Sequence, residues 1–115
     1  MLESVTSTAL SRALDALALR QRSIAENISN VNTPDYHAKR VDFEDRLRSA
    51  VARGSGDVSA RVERSLEPTR LNGNNVNLDT ETLSNIDTVL RYQFAAQALG
   101  GQAASIRAAI GRASA

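Results

Sequence analysis

The sequence predicts an all-α chain: two long terminal helices packing as an antiparallel coiled-coil-like hairpin, joined by an irregular, partly extended or disordered central arm. Three observations predict it. Apolar residues recur at heptad spacing near the start, apolar stripes at helical spacing return after residue 79, and the stretch between them keeps no period for long.

In the first helix Leu10, Leu14, Leu17, Ile24, Ile28 and Val31 follow one another in alternating steps of four and three, with Gln21 the one polar seam position. Ser4, Thr6, Ser7 and Thr8 offer N-caps upstream of this seam. Thr33-Pro34 ends it, because proline disfavours helical geometry in the residue before it. Helix 1 is thereby expected over residues 5–31. Just before the stop, Asn27, Asn30 and Asn32 precede the turn of Thr33, Pro34, Asp35 and Tyr36. Asparagine amides both donate and accept, so a row of them at a helix end can satisfy backbone groups of the turn or of a neighbouring subunit.

The central arm is harder to read. Residues 42–51, DFEDRLRSAV, suit two or three helical turns with Phe43, Leu47 and Val51 on one face. A Gly-Ser hinge follows, and then Val58, Ala60, Val62 and Leu66 at the alternating spacing of a strand. One short strand cannot stand alone. The arm is therefore expected to bind a partner or to stay disordered until assembly.

The second helix is expected over residues 79–110, after the turn-forming NGNNVNLD, with Asn77 or Asp79 as its N-cap. Leu83, Ile86 and Leu90 form one stripe on it. Val89, Tyr92, Ala96, Leu99, Ala103, Ile106 and Ile110 form another. Two stripes imply two packing partners, and a lone hairpin would leave one of them uncovered, the usual mark of an interaction site. Gly100-Gly101 is a weak point or a close-packing notch. The chain thus reads as one domain in three parts: residues 1–33, an N-terminal helix and Asn-rich turn; 34–78, the arm; and 79–115, the C-terminal helix.

Composition narrows the function classes. The 115 residues carry 14 basic and 13 acidic side chains, a formal net charge of +1. No strong field exists to draw phosphate backbones or acidic membranes, and with so few aromatics a nucleic-acid partner is not expected. The chain has no cysteine, which removes thiolate metal sites and cysteine nucleophiles. His37 is the only histidine, so a multi-histidine metal site cannot form within one chain. The acids Asp42, Glu44 and Asp45 interleave with Arg40, Arg46 and Arg48, the pattern of a salt-bridged surface rather than of a catalytic carboxylate pair. No nucleophile-elbow sequence is present. No catalytic residue, cofactor, metal or small-molecule substrate is expected. The start of the chain lacks the basic n-region and uninterrupted apolar run of a secretory signal, so export would not use a conventional cleaved one.

The motif NISNVNTPDY, residues 27–36, resembles the N-x-A-N-x-x-T-P-G-Y signature of the flagellar rod, hook and hook-associated axial proteins. The segments HAKRVDFEDRL and NGNNVNLDTETLSNIDTVLRYQ are similar to stretches of the short proximal-rod members of that family. Ser29 replaces a usual alanine. Asp35 stands where glycine or asparagine is common, so a positive backbone angle in this turn would fall on an aspartate. The resemblance implies a structural subunit of the bacterial flagellar basal body, passed through the type III export gate without signal cleavage and built into a periplasmic rod for cell motility. It implies further copies of itself, FliE, FlgC, the distal rod proteins and the membrane ring protein FliF as partners. It also implies that Asn27, Asn30, Asn32, Thr33, Pro34 and Tyr36 hold the turn that sets the angle between helix 1 and the arm. The assembly seam would comprise Leu10, Leu14, Leu17, Ile24, Ile28, Val31, Leu83, Ile86, Leu90, Tyr92, Leu99, Ile106 and Ile110. The rival reading is a cytoplasmic helical-hairpin adaptor or chaperone, which would share the seam but not the export.

Overall fold

The computed structural model describes residues 2–113, in the order α1 (Leu2–Ser29), β1 (Lys39–Asp42), α2 (Glu44–Ala52), β2 (Arg61–Arg64) and α3 (Leu78–Ala113). The two terminal helices lie antiparallel. At one end the Ser7 hydroxyl donates to Gln102 Oε1 at 2.6 Å, and at the other Asn27 sits beside Glu81.

α1 begins at Leu2 and ends at Ser29, so Ser4, Thr6, Ser7 and Thr8 lie inside the helix and not ahead of it as caps. The helix unwinds before Pro34 through tighter bonds, Asn30 N–H to Asn27 O at 3.2 Å and Thr33 N–H to Asn30 O at 3.0 Å. α3 starts as its cap predicts: Asn77 Oδ1 accepts from the N–H groups of Asp79 at 3.0 Å and Thr80 at 3.3 Å. It then runs unbroken through Gly100 and Gly101, where an added Cβ would meet nothing within 4 Å outside the helix's own turns. Within the chain that pair is neither a break nor a packing notch. At about 1.5 Å per residue α3 is roughly 54 Å long, and it sets the long axis of a slab measuring 68 × 25 × 14 Å.

The face that α3 turns to α1 is not the predicted apolar stripe. Glu81, Thr88 and Ala95 are buried there, one heptad apart, and Gln102 continues the line half-buried. From the second stripe Val89, Leu99 and Ala103 reach the margin of this contact, while Ala96 stays exposed. The physical reason is that this contact is partly polar: Glu81 lies beside Asn27 at one end and Gln102 accepts from Ser7 at the other, with the smaller Thr88 and Ala95 buried between.

The arm is ordered, and it lies against a different side of α1. Val41 and Phe43 bury against Ala16 and Leu17, with Ala13, Leu19, Leu47 and Ala60 around them. The Arg20 guanidinium stacks over the Phe43 ring at 4.9 Å. Farther back, Gly56 approaches α1 so closely that a Cβ would lie 2.8 Å from Val5 O, and its φ of +68° is also one that favours glycine. The helix expected over 42–51 is α2, entered from Phe43. The alternating segment becomes β2 over residues 61–64 only; Leu66 falls outside the strand and stands exposed. Its partner β1 was not foreseen, because in KRVD only Val41 turns inward. The two strands pair antiparallel in the register Lys39↔Arg64, Arg40↔Glu63, Val41↔Val62, Asp42↔Arg61.

Candidate assembly surface and the asparagine clasp

Where α1, the arm and α3 meet, the backbone is held by side-chain amides. Asn27, wholly buried in the last turn of α1, accepts from Lys39 N–H at 2.9 Å and from the Tyr36 hydroxyl at 3.1 Å, and donates to Lys39 O at 3.0 Å. A single amide thus serves both backbone groups of one residue, as a neighbouring strand would. Asn75 instead bridges three residues beside the strands' ends: it accepts from Ala38 N–H at 2.7 Å and donates to Ser65 O at 3.2 Å and Glu67 O at 3.1 Å. Asn74, also wholly buried, donates to the carbonyls of Asn30 and Thr33, both at 2.8 Å, and accepts from Val76 N–H at 2.8 Å. Arg70 completes the clasp with bonds to Val31 O and Val76 O, both at 2.6 Å.

Of the predicted turn residues, Asn27 and Tyr36 hold this clasp from inside. Asn30 and Thr33 bond each other at 3.0 Å, while Asn32 and Pro34 are exposed. Asp35 adopts a φ of +62°, so the positive angle does fall on an aspartate. Its N–H donates to Asn72 O at 2.8 Å, locking the turn to the segment before α3. Asn74, Asn75 and Arg70 were missed as site residues. The sequence showed an Asn-rich turn at each place, but nothing in it said that the two turns satisfy each other.

Two carboxylates carry the electrostatics of the junction. Burial alone pushes the Glu44 carboxyl up, but the hydrogen bond and charge of Arg20, with Arg91 behind, outweigh it and hold Glu44 below the usual carboxylate range. Arg20 also donates to Val41 O at 2.7 Å, so this one guanidinium ties α2 and β1 to α1. Glu81 is pushed the other way: burial raises it, opposed by the Asn27 amide and by Arg40.

The predicted assembly seam divides. Leu17 and Ile24 are buried within the chain, and Leu10, Leu14, Val31 and Leu99 are half-buried. Ile28, Tyr92, Ile106 and Ile110 are exposed. Leu83, Ile86 and Leu90 are exposed by 69%, 54% and 61%, and Phe94, absent from the predicted seam, by 75%. At 3.6 residues per turn these last four share one face of α3, opposite the line of Glu81, Thr88 and Ala95. α3 therefore turns its small and polar side inward and its largest apolar side chains outward, the reverse of an ordinary amphipathic helix. No helix among the described residues is long and apolar enough to cross a membrane.

No family model matches the chain. Curated relatives do. The chain is 31% identical over 113 residues to the flagellar basal body rod protein FlgB of Escherichia coli (strain K12), covering 78% of this chain and 81% of the relative. It is 30% identical over 112 residues to the FlgB of Salmonella typhimurium, covering 78% and 81%, and 27% identical over 121 residues to that of Bacillus subtilis (strain 168), covering 85% and 87%. An Asn-locked turn, two long antiparallel helices and an outward apolar face thus occur in a sequence alignable to these relatives over most of its length, and the chain belongs to the family of flagellar basal body rod proteins FlgB.

Proposed function

We propose that the chain is a structural, non-enzymatic subunit of the flagellar basal body rod, in its proximal, periplasmic part, and that α3's outer face is where neighbouring subunits pack. The observation that carries this reading is the inversion of α3. Four large apolar side chains together on one exposed helix face mark a surface that a partner covers. Rod subunits stack head to tail, so each must present different faces to successive neighbours. In this reading Leu83, Ile86, Leu90 and Phe94 serve the contacts between subunits. Leu10, Leu14, Leu17 and Ile24 build the subunit itself, and the clasp from Asn27 to Tyr36 sets the angle at which the arm leaves the helices. The neighbours are further copies of the chain, FliE, FlgC and the distal rod proteins, with FliF and the export gate at the base. The three-part organisation into helix and turn, arm, and helix belongs to the same proposal.

The test separates the two groups of seam residues. Leu83→Asp with Leu90→Asp should leave the circular dichroism and unfolding midpoint of the purified chain almost unchanged, yet abolish motility when it replaces the native gene. Leu17→Asp should lower helicity and stability of the isolated chain, since it buries an unpaired charge. Normal swimming by the Leu83/Leu90 variant would refute the assignment of that face.

A further inference from the structure

The fold treats the two edges of its β-ribbon differently. Ser65 N–H donates to Ala38 O at 2.8 Å, and in the observed register this makes 38/65, 40/63 and 42/61 the hydrogen-bonded pairs of the ladder. The backbone groups of residues 39 and 41 therefore point outward from β1, and those of 62 and 64 outward from β2. On the β1 edge α1 answers them, Asn27 bonding the N–H and C=O of Lys39 and Arg20 bonding Val41 O. On the β2 edge no described residue bonds the outward groups of Val62 and Arg64, and all four strand residues are exposed.

An open edge with an exposed valine at its centre is a template for another strand. Charged side chains usually blunt such edges, and Arg61, Glu63 and Arg64 are charged. Their order, however, makes this edge complementary to itself. When two copies pair antiparallel about Val62, the two Val62 residues form a hydrogen-bonded pair, as their outward backbone groups require. Arg61 of each copy then stands opposite Glu63 of the other, in the non-hydrogen-bonded positions where side chains come closest. A register centred on Glu63 would set two carboxylates face to face, and registers centred on Arg61 or Arg64 would set two guanidiniums face to face. Only the Val62 register joins unlike charges.

We propose that β2 is a homotypic docking edge, at which a second copy of this chain adds its own β2 antiparallel about Val62. The contact lies on the arm, away from the α3 face, and does not depend on the rod assignment. Four residues per copy bury far less than the roughly 1,600 Å² of a standard interface. Pairing is accordingly weak between free chains, and being two-fold it is separate from the head-to-tail contacts of a stack.

The chain has no cysteine, so a single Val62→Cys reports the contact directly. Across a hydrogen-bonded pair the Cα atoms lie about 5.5 Å apart, inside the range a disulfide spans. Mild oxidation of concentrated Val62→Cys protein should yield a covalent dimer on a non-reducing gel. Adding Glu63→Arg should slow cross-linking about tenfold, because two attractive cross-strand pairs become repulsive. The further exchange Arg61→Glu should restore the original rate. Ser11→Cys, exposed on α1, measures random collision. Equal rates for all three Val62→Cys proteins, failure of the charge exchange to rescue, or a Ser11→Cys rate matching that of Val62→Cys would each overturn the proposal. None of these results would touch the α3 assignment, which motility reads separately.

Discussion

Asp35 and Gly73 show how tightly the clasp is drawn. Both occupy the left-handed region, with φ of +62° and +82°, and a Cβ on Gly73 would lie 2.3 Å from Asp35 Oδ1. An L-residue in that region costs about 1 to 2 kcal/mol before any clash. Gly73→Ala should therefore destabilise the chain by about 2 kcal/mol or more in urea unfolding. Asp35→Gly should be mild alone and should recover part of the Gly73→Ala loss, because it removes the carboxylate that the new methyl group meets. Additive effects in that double-mutant cycle would show that the two residues do not touch. Asn27→Ala strips partners from both backbone groups of the part-buried Lys39 peptide and from the Tyr36 hydroxyl, and with three bonds lost at about 1 kcal/mol each it should be the more severe change.

Among the elements, the arm and α3 are joined to α1 by carboxylates shifted in opposite directions, and this gives pH profiles of opposite sign. Glu44 is held low in the folded chain. Its contribution is present above the unfolded value near 4.5 and is lost as pH falls through the folded one. Glu44→Gln should thus lower the unfolding midpoint at pH 7 and converge with the parent in acid. Glu81 is held high, so its contribution is complete below 4.5 and is lost as pH rises through the folded value. Glu81→Gln should raise the midpoint at pH 7 and bring no gain below that window. Denaturant titrations of both variants between pH 3 and 7 check the two signs together, and parallel profiles would contradict the assigned environments.

Taken whole, the molecule is drawn out. Its radius of gyration is 18.1 Å, where a compact chain of this length would have about 13 Å. Small-angle scattering of dilute protein should return a value near 18 Å, and one near 13 Å would mean that the helices fold over each other. Burial is uneven along that length. The core cluster and the clasp sit around Leu17, Phe43, Asn27 and Asn74, whereas residues 104–111 of α3 are exposed throughout. Hydrogen exchange should follow this gradient, slow at Asn27 and Val76 and fast beyond Gly101. Equal protection along α3 in the free chain would count against it.

The parts legible in the sequence were those governed by neighbours along the chain. The two long helices, the end of α1 ahead of Pro34 and the Asn77 cap each follow from the local geometry of a few residues, and each is found near where the residues put it. The parts decided only by tertiary structure were those in which distant groups satisfy one another. Hydropathy could not reveal that Glu81, Thr88 and Ala95 form α3's inner face, because the partners along that line include polar groups of α1, Asn27 beside Glu81 and Ser7 bonded to Gln102. Nor could it reveal that Lys39 and Arg40 lie in a strand, since β1 pairs with the distant β2 on one edge and is completed by Asn27 and Arg20 on the other. Chain order alone determined two helices and a turn; which side of each helix looks outward was settled when the third dimension brought the amides of residues 27, 74 and 75 to the backbone they complete.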